Sequence, residues 1–153
     1  MPSVKPIPEG YPRVMPHLTI AGAAEAIDFY KTVFGADERM RMAMPDGTIA
    51  HAEIAIGDSI IMIGDEGTGT DPSPKTVGGS PVSVYVYVEN VDEVFKRAMD
   101  SGATSQESAP EDRFYGDRTA TFVDPYGHQW NIATHVEDVP PEEMEQRAAA
   151  AMT

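Results

Sequence analysis

Residues 82–104 read VSVYVYVENVDEVFKRAMDSGAT, and this stretch contains the two patterns from which the fold is predicted. Its opening heptad alternates four valines with one serine and two tyrosines, which is typical of a β-strand with one face in a core. From 91 to 101 the apolar residues recur at helical spacing, with Asn90 as a suitable N-cap and Gly102 at the end. The stretch therefore predicts a strand followed by an amphipathic helix.

The same order of strand and helix patterns occurs in the first half of the chain. IDFYKTVFGAD at 27–37 superposes on VFKRAMDSGAT at 94–104, and GDSIIMI at 57–63 superposes on GHQWNIA at 127–133. Each half predicts a strand, a helix and three further strands. An internal repeat of a βαβββ unit follows from this agreement.

We predict an α+β fold in which two tandem βαβββ modules form a curved mixed sheet around a cleft. One module alone leaves a face of its sheet uncovered, and two modules can share that face. The predicted divisions are an extended Pro-rich lead-in (1–12), module 1 (13–64), a flexible linker (65–81), module 2 (82–136) and a tail with a short helix (137–153).

Charge and composition exclude several classes of function. Eleven Lys and Arg against 25 Asp and Glu leave a net charge of −14, which argues against binding nucleic acid or an anionic membrane surface. The absence of cysteine excludes disulfides, thiolate metal sites and cysteine nucleophiles. No apolar run approaches the roughly 18 residues that span a bilayer, and the first twenty residues do not resemble a signal peptide. We therefore expect a cytoplasmic protein.

Three segments carry a resemblance to a known superfamily. IDFYKTVFGA, PDGTIAHAEIAIGDSIIMIGD at 45–65 and RFYGDRTATFVDPYGHQWNIATHVEDV at 113–139 resemble the vicinal oxygen chelate superfamily. It contains glyoxalase I, extradiol dioxygenases, fosfomycin-resistance enzymes and bleomycin-resistance binding proteins. The likeness covers residues 13–136 and is greatest to the PhnB-like members. It implies the strand order 1-4-3-2 within each module.

The resemblance also bears on metal binding. Metal-dependent members place His or Gln on the first strand and Glu on the last strand of each module. The matching positions here are Met15, Ile61 or Met62, Ser83 and Asn131. Divalent nickel, zinc or iron favours imidazole and carboxylate donors, which these residues lack. We therefore expect no cofactor in the usual site, with a divalent metal as the alternative.

His51 and Glu53 form an H-x-E pattern on one predicted strand. Side chains two residues apart share a face at about 6.6 Å, and a carboxylate can raise the basicity of a neighbouring imidazole. Ligand contact and a structural His–Glu pair both stay open. His17 has the parity to join them, so His17, His51 and Glu53 form the one trio available for a non-standard metal site.

The second module supplies further candidates. Tyr85 and Tyr87 lie opposite the valines and offer flat walls to an aromatic ligand, unless they pack against the other module. Arg118 can bind an oxyanion bidentately, unless it pairs with Asp117 or Asp124. The full set of predicted ligand-binding residues is His17, His51, Glu53, Tyr85, Tyr87, Tyr115, Arg118 and Asn131.

Two functions follow from these patterns. The first is a metal-free protein, expected to be a homodimer, that holds a small apolar or aromatic molecule in the cleft. The alternative is a metal-dependent glyoxalase-like lyase or isomerase, or a dioxygenase, that uses His17, His51 and Glu53, with His51 and Glu53 as the catalytic pair. A role of the C-terminal helix and acidic surface in protein association stays open as a third possibility.

Overall fold

The computed structural model describes residues 3–69 and 71–153 and divides the chain into two compact units, Met1–Val77 and Gly78–Thr153. The first unit contains β1 (His17–Ile20), α1 (Ala23–Phe34), β2 (Asp37–Ala43), β3 (Ile49–Ile56), β4 (Ser59–Asp65) and α2 (Pro74–Val77). The second contains β5 (Ser83–Tyr87), α3 (Val91–Asp100), β6 (Glu111–Asp112), β7 (Asp117–Val123), β8 (Gln129–His135) and α4 (Pro141–Ala151).

Each unit has one four-stranded mixed sheet, in the order β1-β4-β3-β2 in the first and β5-β8-β7-β6 in the second. The first and last strands of each unit pair in parallel, and the other neighbours are antiparallel. The predicted α+β class and the duplicated βαβββ plan are confirmed. The strand order implied by the resemblance is confirmed as well.

In the first unit, one carboxylate joins the helix to the sheet. Asp65 Oδ1 accepts hydrogen bonds from the backbone N–H groups of Gly22 at 3.1 Å and Ala23 at 2.9 Å, at the start of α1. Its Oδ2 accepts one from Ile49 N at 2.7 Å, on β3. Gly22 has no side chain to cap the helix, so Asp65 satisfies these orphan donors from β4.

In the second unit, the core is built around Trp130. This side chain is fully buried, and its indole N–H donates to Asp124 Oδ2 at 2.9 Å. Asp124 Oδ1 accepts from the backbone of Tyr126 and His128, which closes the turn before β8. The helix α3 begins as predicted, because Asn90 accepts a hydrogen bond from Glu93 N at 3.2 Å. The predicted N-cap is confirmed.

Two boundaries differ from those expected. Module 1 is predicted to begin at residue 13, but its first strand begins at His17, since Pro16 has no N–H to donate and contributes only its carbonyl, to Met62 N at 2.9 Å. The segment 65–81 is not uniformly a linker, since Asp65 belongs to β4 and α2 lies within it. Here Glu66 accepts a hydrogen bond from Ser73 N at 2.9 Å.

The tail folds back onto its own unit through Arg147. This guanidinium donates to Glu137 at 2.6 Å and to the carbonyl of Phe114 at 3.0 Å. Gly116 has φ 99°, and a Cβ there would overlap the carbonyl of Glu137. The predicted tail helix is present as α4, which buries none of its residues. Among the described residues, no helix is long and apolar enough to span a membrane.

Candidate functional site

Each sheet has one face packed against its helix and one face that points away from it. We call the latter the first distal face, opposite α1, and the second distal face, opposite α3. Leu18, Ile20 and Ile54 are buried on the helix side of the first sheet. Because side chains alternate along a strand, His17, His51 and Glu53 lie on the first distal face, as the parity of the sequence predicts.

The first distal face brings two histidines together. His17 pairs with Met62 on β4, and Met62 pairs with Glu53 on β3. The imidazole rings of His17 and His51 stack with centroids 6.2 Å apart and an interplanar angle of 27°. His51 Nε2 lies 3.3 Å from Glu53 Oε2. The three residues predicted as a trio are therefore neighbours.

Glu53 is the centre of a hydrogen-bonded network. Its side chain is buried, with the residue 4% exposed. Its Oε1 accepts from the Tyr11 hydroxyl at 2.8 Å and from the Arg39 guanidinium at 3.4 Å, while Oε2 faces His51. The Arg39 guanidinium also lies 4.9 Å from the centroid of the Tyr11 ring. The hydrogen bond to Glu53, followed by burial, raises the pKa of Tyr11.

Sequence reasoning missed Tyr11 and Arg39. Tyr11 lies in the segment predicted as an extended lead-in, and Arg39 lies at a register shift of β2 between Glu38 and Met40. Neither feature has a clear signature in the sequence. One indication was available. A carboxylate predicted beside a core needs hydrogen-bond donors, and Arg39 on the neighbouring strand is a residue that can supply them.

A cavity of about 230 Å³ lies beside His17. Its lining includes His17, Thr19 and the backbone of Gly64. A Cβ at Gly64 would lie 3.8 Å from His17 Cε1 and 3.3 Å from the carbonyl oxygen of Ala50. The missing side chain at Gly64 therefore leaves room next to the His17 ring.

On the second distal face, the carboxylate of Asp117 contacts three side chains. Asp117 on β7 and His135 on β8 are register partners, and Asp117 Oδ1 lies 2.9 Å from His135 Nδ1. Asp117 Oδ2 accepts hydrogen bonds from the Tyr85 and Tyr87 hydroxyls, each at 2.8 Å. His135 Nε2 contacts Asp138 Oδ1 at 2.7 Å. Asp117 is 4% exposed, so its carboxylate is buried beneath its partners.

These contacts shift the pKa values of the four side chains. Burial opposes the ionisation of Asp117, but the hydrogen bonds from His135, Tyr87 and Tyr85 outweigh it and hold the pKa below its ordinary value. The hydrogen bonds to Asp117 and then Asp138 raise the pKa of His135. Burial and then Asp117 raise the pKa of Tyr85, and Asp117 and then burial raise that of Tyr87. The cluster thus favours a carboxylate, an imidazolium and two neutral phenols.

The same face exposes aromatic surface. The rings of Tyr85 and Tyr87 lie 5.4 Å apart between centroids, and the two residues are 46% and 62% exposed. Phe114 and Tyr115 form an edge-to-face pair at 5.3 Å in the turn that leads into β7. The Tyr115 phenol makes a smaller electrostatic contribution to the raised pKa of both tyrosines. We call Tyr85, Tyr87 and Tyr115 the tyrosine surface.

Arg118 does not join this surface. Its side chain has the opposite parity to Asp117 and reaches Asp92 on α3, with both Nε and Nη2 at 2.9 Å from the carboxylate oxygens. A third bond, at 3.2 Å, goes to Asp112 on β6. The predicted Arg–Asp pair is therefore present, but its partners are Asp92 and Asp112 instead of Asp117 or Asp124. Asn131 does lie on the second distal face, where it pairs with Tyr85 in register and donates to Ser83 Oγ at 2.8 Å.

The residues at the usual metal positions do not fit a divalent ion. Met62 offers only a thioether, and Ser83 and Asn131 are bonded to each other. In the alternative trio, the carboxylate of Glu53 is already held by Tyr11, Arg39 and His51. Within residues 3–69 and 71–153, no group of three or more His, Asp or Glu side chains is arranged to hold a metal ion.

Comparisons with known proteins agree with this architecture. The family model described as "Glyoxalase/Bleomycin resistance protein/Dioxygenase superfamily" matches residues 13–132. An uncharacterized protein of Mycobacterium bovis, Mb0911c, is 38% identical over 138 residues, which are 88% of this chain and 90% of that protein.

Two solved structures show the same fold at lower identity. The Arabidopsis thaliana gene product AT5G48480 has a TM-score of 0.66 at 22% identity, covering 80% of this chain and 98% of that one. A PhnB protein from Bacillus cereus has a TM-score of 0.60 at 18% identity, with coverage of 80% and 99%. The predicted likeness to PhnB-like proteins thus has a structural counterpart.

Proposed function

Because the chain belongs to the Glyoxalase/Bleomycin resistance protein/Dioxygenase superfamily, we propose that it binds a small aromatic or apolar molecule on the tyrosine surface. Binding needs no divalent metal in this proposal. The proposal includes the homodimer and the cytoplasmic location expected from the sequence. Light scattering of the purified protein tests whether it is a dimer.

The observation that carries the proposal is the shared anchoring of Tyr85 and Tyr87. Both hydroxyls donate to Asp117 Oδ2 at 2.8 Å, while 46% and 62% of the two residues stay exposed. Two large apolar rings are thereby held in place before any ligand arrives. Such preorganisation lowers the entropic cost of binding, and aromatic pairs gain beyond simple area burial.

The first distal face contributes a second candidate contact surface. The stacked rings of His17 and His51 and the cavity of about 230 Å³ beside His17 can receive a small planar group. The alternative function, acid–base catalysis by His51 with Glu53, is favoured by the 3.3 Å contact between them. It requires Glu53 to serve as an orienting group, because Tyr11 and Arg39 hold its other oxygen.

Binding of neutral aromatic probes tests the proposal. We expect indole, naphthalene or quinoline to bind in ligand-detected NMR, followed by calorimetry on the strongest. Tyr87→Ala should weaken binding about tenfold, the equivalent of about 1.4 kcal/mol. Arg118→Gln is the matched control, because it changes the helix side of the same sheet. No aromatic binding, or equal losses in both variants, would falsify the proposal.

A metal titration tests the metal-free part separately. Nickel, zinc, manganese and iron are added to protein purified without chelator, and the melting temperature is followed. We expect no stoichiometric stabilisation, because Tyr11, Arg39 and His51 already hold the carboxylate of Glu53. A metal that bound the native state would raise the melting temperature by mass action. Stoichiometric metal that raises the melting temperature, and whose effect is lost in His51→Ala, supports the metal-dependent alternative instead.

A further inference from the structure

We propose that the tyrosine surface selects aromatic molecules that carry an acidic oxygen, a carboxylate or a phenolate, and that His135 binds this oxygen. The inference rests on the proposed function, since the ligand's ring occupies the same surface. It adds a chemical class of ligand and a binding residue that the sequence patterns did not single out.

Asp138 shows that a carboxylate fits at His135 Nε2. The distance from Nε2 to Asp138 Oδ1 is 2.7 Å, which is short for a nitrogen–oxygen hydrogen bond. The side chain of Asp138 is fully exposed, and its partner among the described residues is His135 alone. An exposed ion pair of this kind contributes little to stability. A ligand carboxylate can therefore replace it without disturbing the fold.

The charges around His135 allow one anion to bind at Nε2. Asp117 on β7 faces Nδ1 at 2.9 Å, and Asp138, after the end of β8, faces Nε2. From β5, Tyr85 and Tyr87 reach the imidazole only through Asp117 and stay neutral. The nearby Glu137 is paired with Arg147 at 2.6 Å, and the same guanidinium also binds Glu143 at 2.7 Å. With Asp138 displaced, Asp117 and protonated His135 form a neutral pair whose free N–H points outward.

His135, which binds the ligand's oxygen in this proposal, and the two tyrosine rings belong to one hydrogen-bonded network. Asp117 holds His135 with one oxygen and both tyrosines with the other. Half of the His135 side chain and 62% of Tyr87 are exposed. A planar acid can therefore lay its ring on the tyrosines while its oxygen accepts a charge-assisted hydrogen bond from His135.

A pair of isosteric probes tests this inference by calorimetry at pH 6.5. We expect 2-naphthoate to bind the wild type at least tenfold more tightly than the neutral 2-naphthamide. His135→Gln should remove that preference. Asp138→Asn should raise the preference for 2-naphthoate severalfold, because the competing carboxylate is gone. If Asp138 has only a structural role, the preference should not change. Asp112→Asn removes the same charge beside Arg118 on the helix side and should leave the ratio as it is.

The outcomes separate the inference from the proposed function. If both probes bind equally, or if Asp138→Asn leaves the ratio unchanged, the inference is wrong and aromatic binding stands. If neither probe binds, both fail together. Circular dichroism of each variant establishes that it is folded, and Asp138→Asn, an exposed change, keeps the test decisive should His135→Gln fail to fold.

Discussion

Asp117 and His135 are register partners on adjacent strands, and their side chains meet with 2.9 Å between Oδ1 and Nδ1. This pair lies between the two tyrosines of β5 and Asp138 at the start of the tail. One buried carboxylate thus links the strand that carries the aromatic rings to the strand that leads into the tail. The proposed ligand surface depends on this link.

The stability contributed by His135 should depend on pH. Its pKa is raised above the ordinary 6.5 in the folded state, chiefly by Asp117. The contribution is therefore complete below about pH 6.5 and is lost as the pH rises through the folded pKa. Denaturation of the wild type and of His135→Gln from pH 5 to 9 measures it. The difference between the two should shrink with rising pH, and a constant difference would contradict the assignment.

The stability contributed by Asp117 should have the opposite pH dependence and be lost at low pH. Its folded pKa lies below the ordinary 3.8, since the hydrogen bonds from His135 and the tyrosines outweigh burial. The stability it contributes is present above about pH 4 and is lost as the pH falls through the folded pKa. At neutral pH, we expect Asp117→Asn to reduce the free energy of unfolding by about 1–3 kcal/mol. Asp112→Asn, at an exposed position, should cost about 0.5 kcal/mol or less, and equal losses would refute a special role for Asp117.

Glu53 and Tyr11 should be energetically coupled. Tyr11→Phe removes the 2.8 Å hydrogen bond to Oε1, at an expected cost of about 0.5–1.5 kcal/mol. Glu53→Gln also disturbs Arg39 and His51, and about 1–3 kcal/mol is expected. A double-mutant cycle by urea denaturation should give a coupling of at least about 0.5 kcal/mol. Strict additivity would show that the contact contributes nothing in solution.

Asp65 should be among the residues on which the first unit depends most. Asp65→Ala leaves the N–H groups of Gly22, Ala23 and Ile49 without their acceptor. Buried donors without partners cost about 1–3 kcal/mol each, so the unfolding free energy should fall by at least about 2 kcal/mol. Asp46→Ala is the control, since Asp46 accepts two hydrogen bonds from Thr48 in an exposed turn. A loss no larger than that of the control would count against this role.

Much of the fold was predictable because each element has a local signal. The valine alternation of β5, the Asn90 cap of α3 and the Asp124 turn before β8 all depend on residues close in sequence. The start of β1 was not predictable in this way, because the alternation of apolar residues over 13–20 continues through Pro16 without revealing the missing donor. Periodicity indicates a strand but does not report where its hydrogen bonding begins.

The site was predictable only in part, because its partners lie far apart in sequence. Parity placed His51 and Glu53 on one face, but Tyr11 joins Glu53 from 42 residues away. Arg118 was a plausible anion site from its residue type, although its parity matches buried Ala120 and Phe122 on the helix side. The same parity rule places Asp117 and His135 on the distal face, and applying it at the ends of β7 and β8 would have found them.

The most direct measurement is a ¹⁵N NMR titration of the full chain with 2-naphthamide. The account predicts saturable shift changes centred on the amides that flank Tyr85, Tyr87 and Tyr115, strongly reduced in Tyr87→Ala. Arg118→Gln should retain them. An absence of saturable changes, or changes confined to residues of the first unit, would contradict the claim that the tyrosine surface binds the ligand.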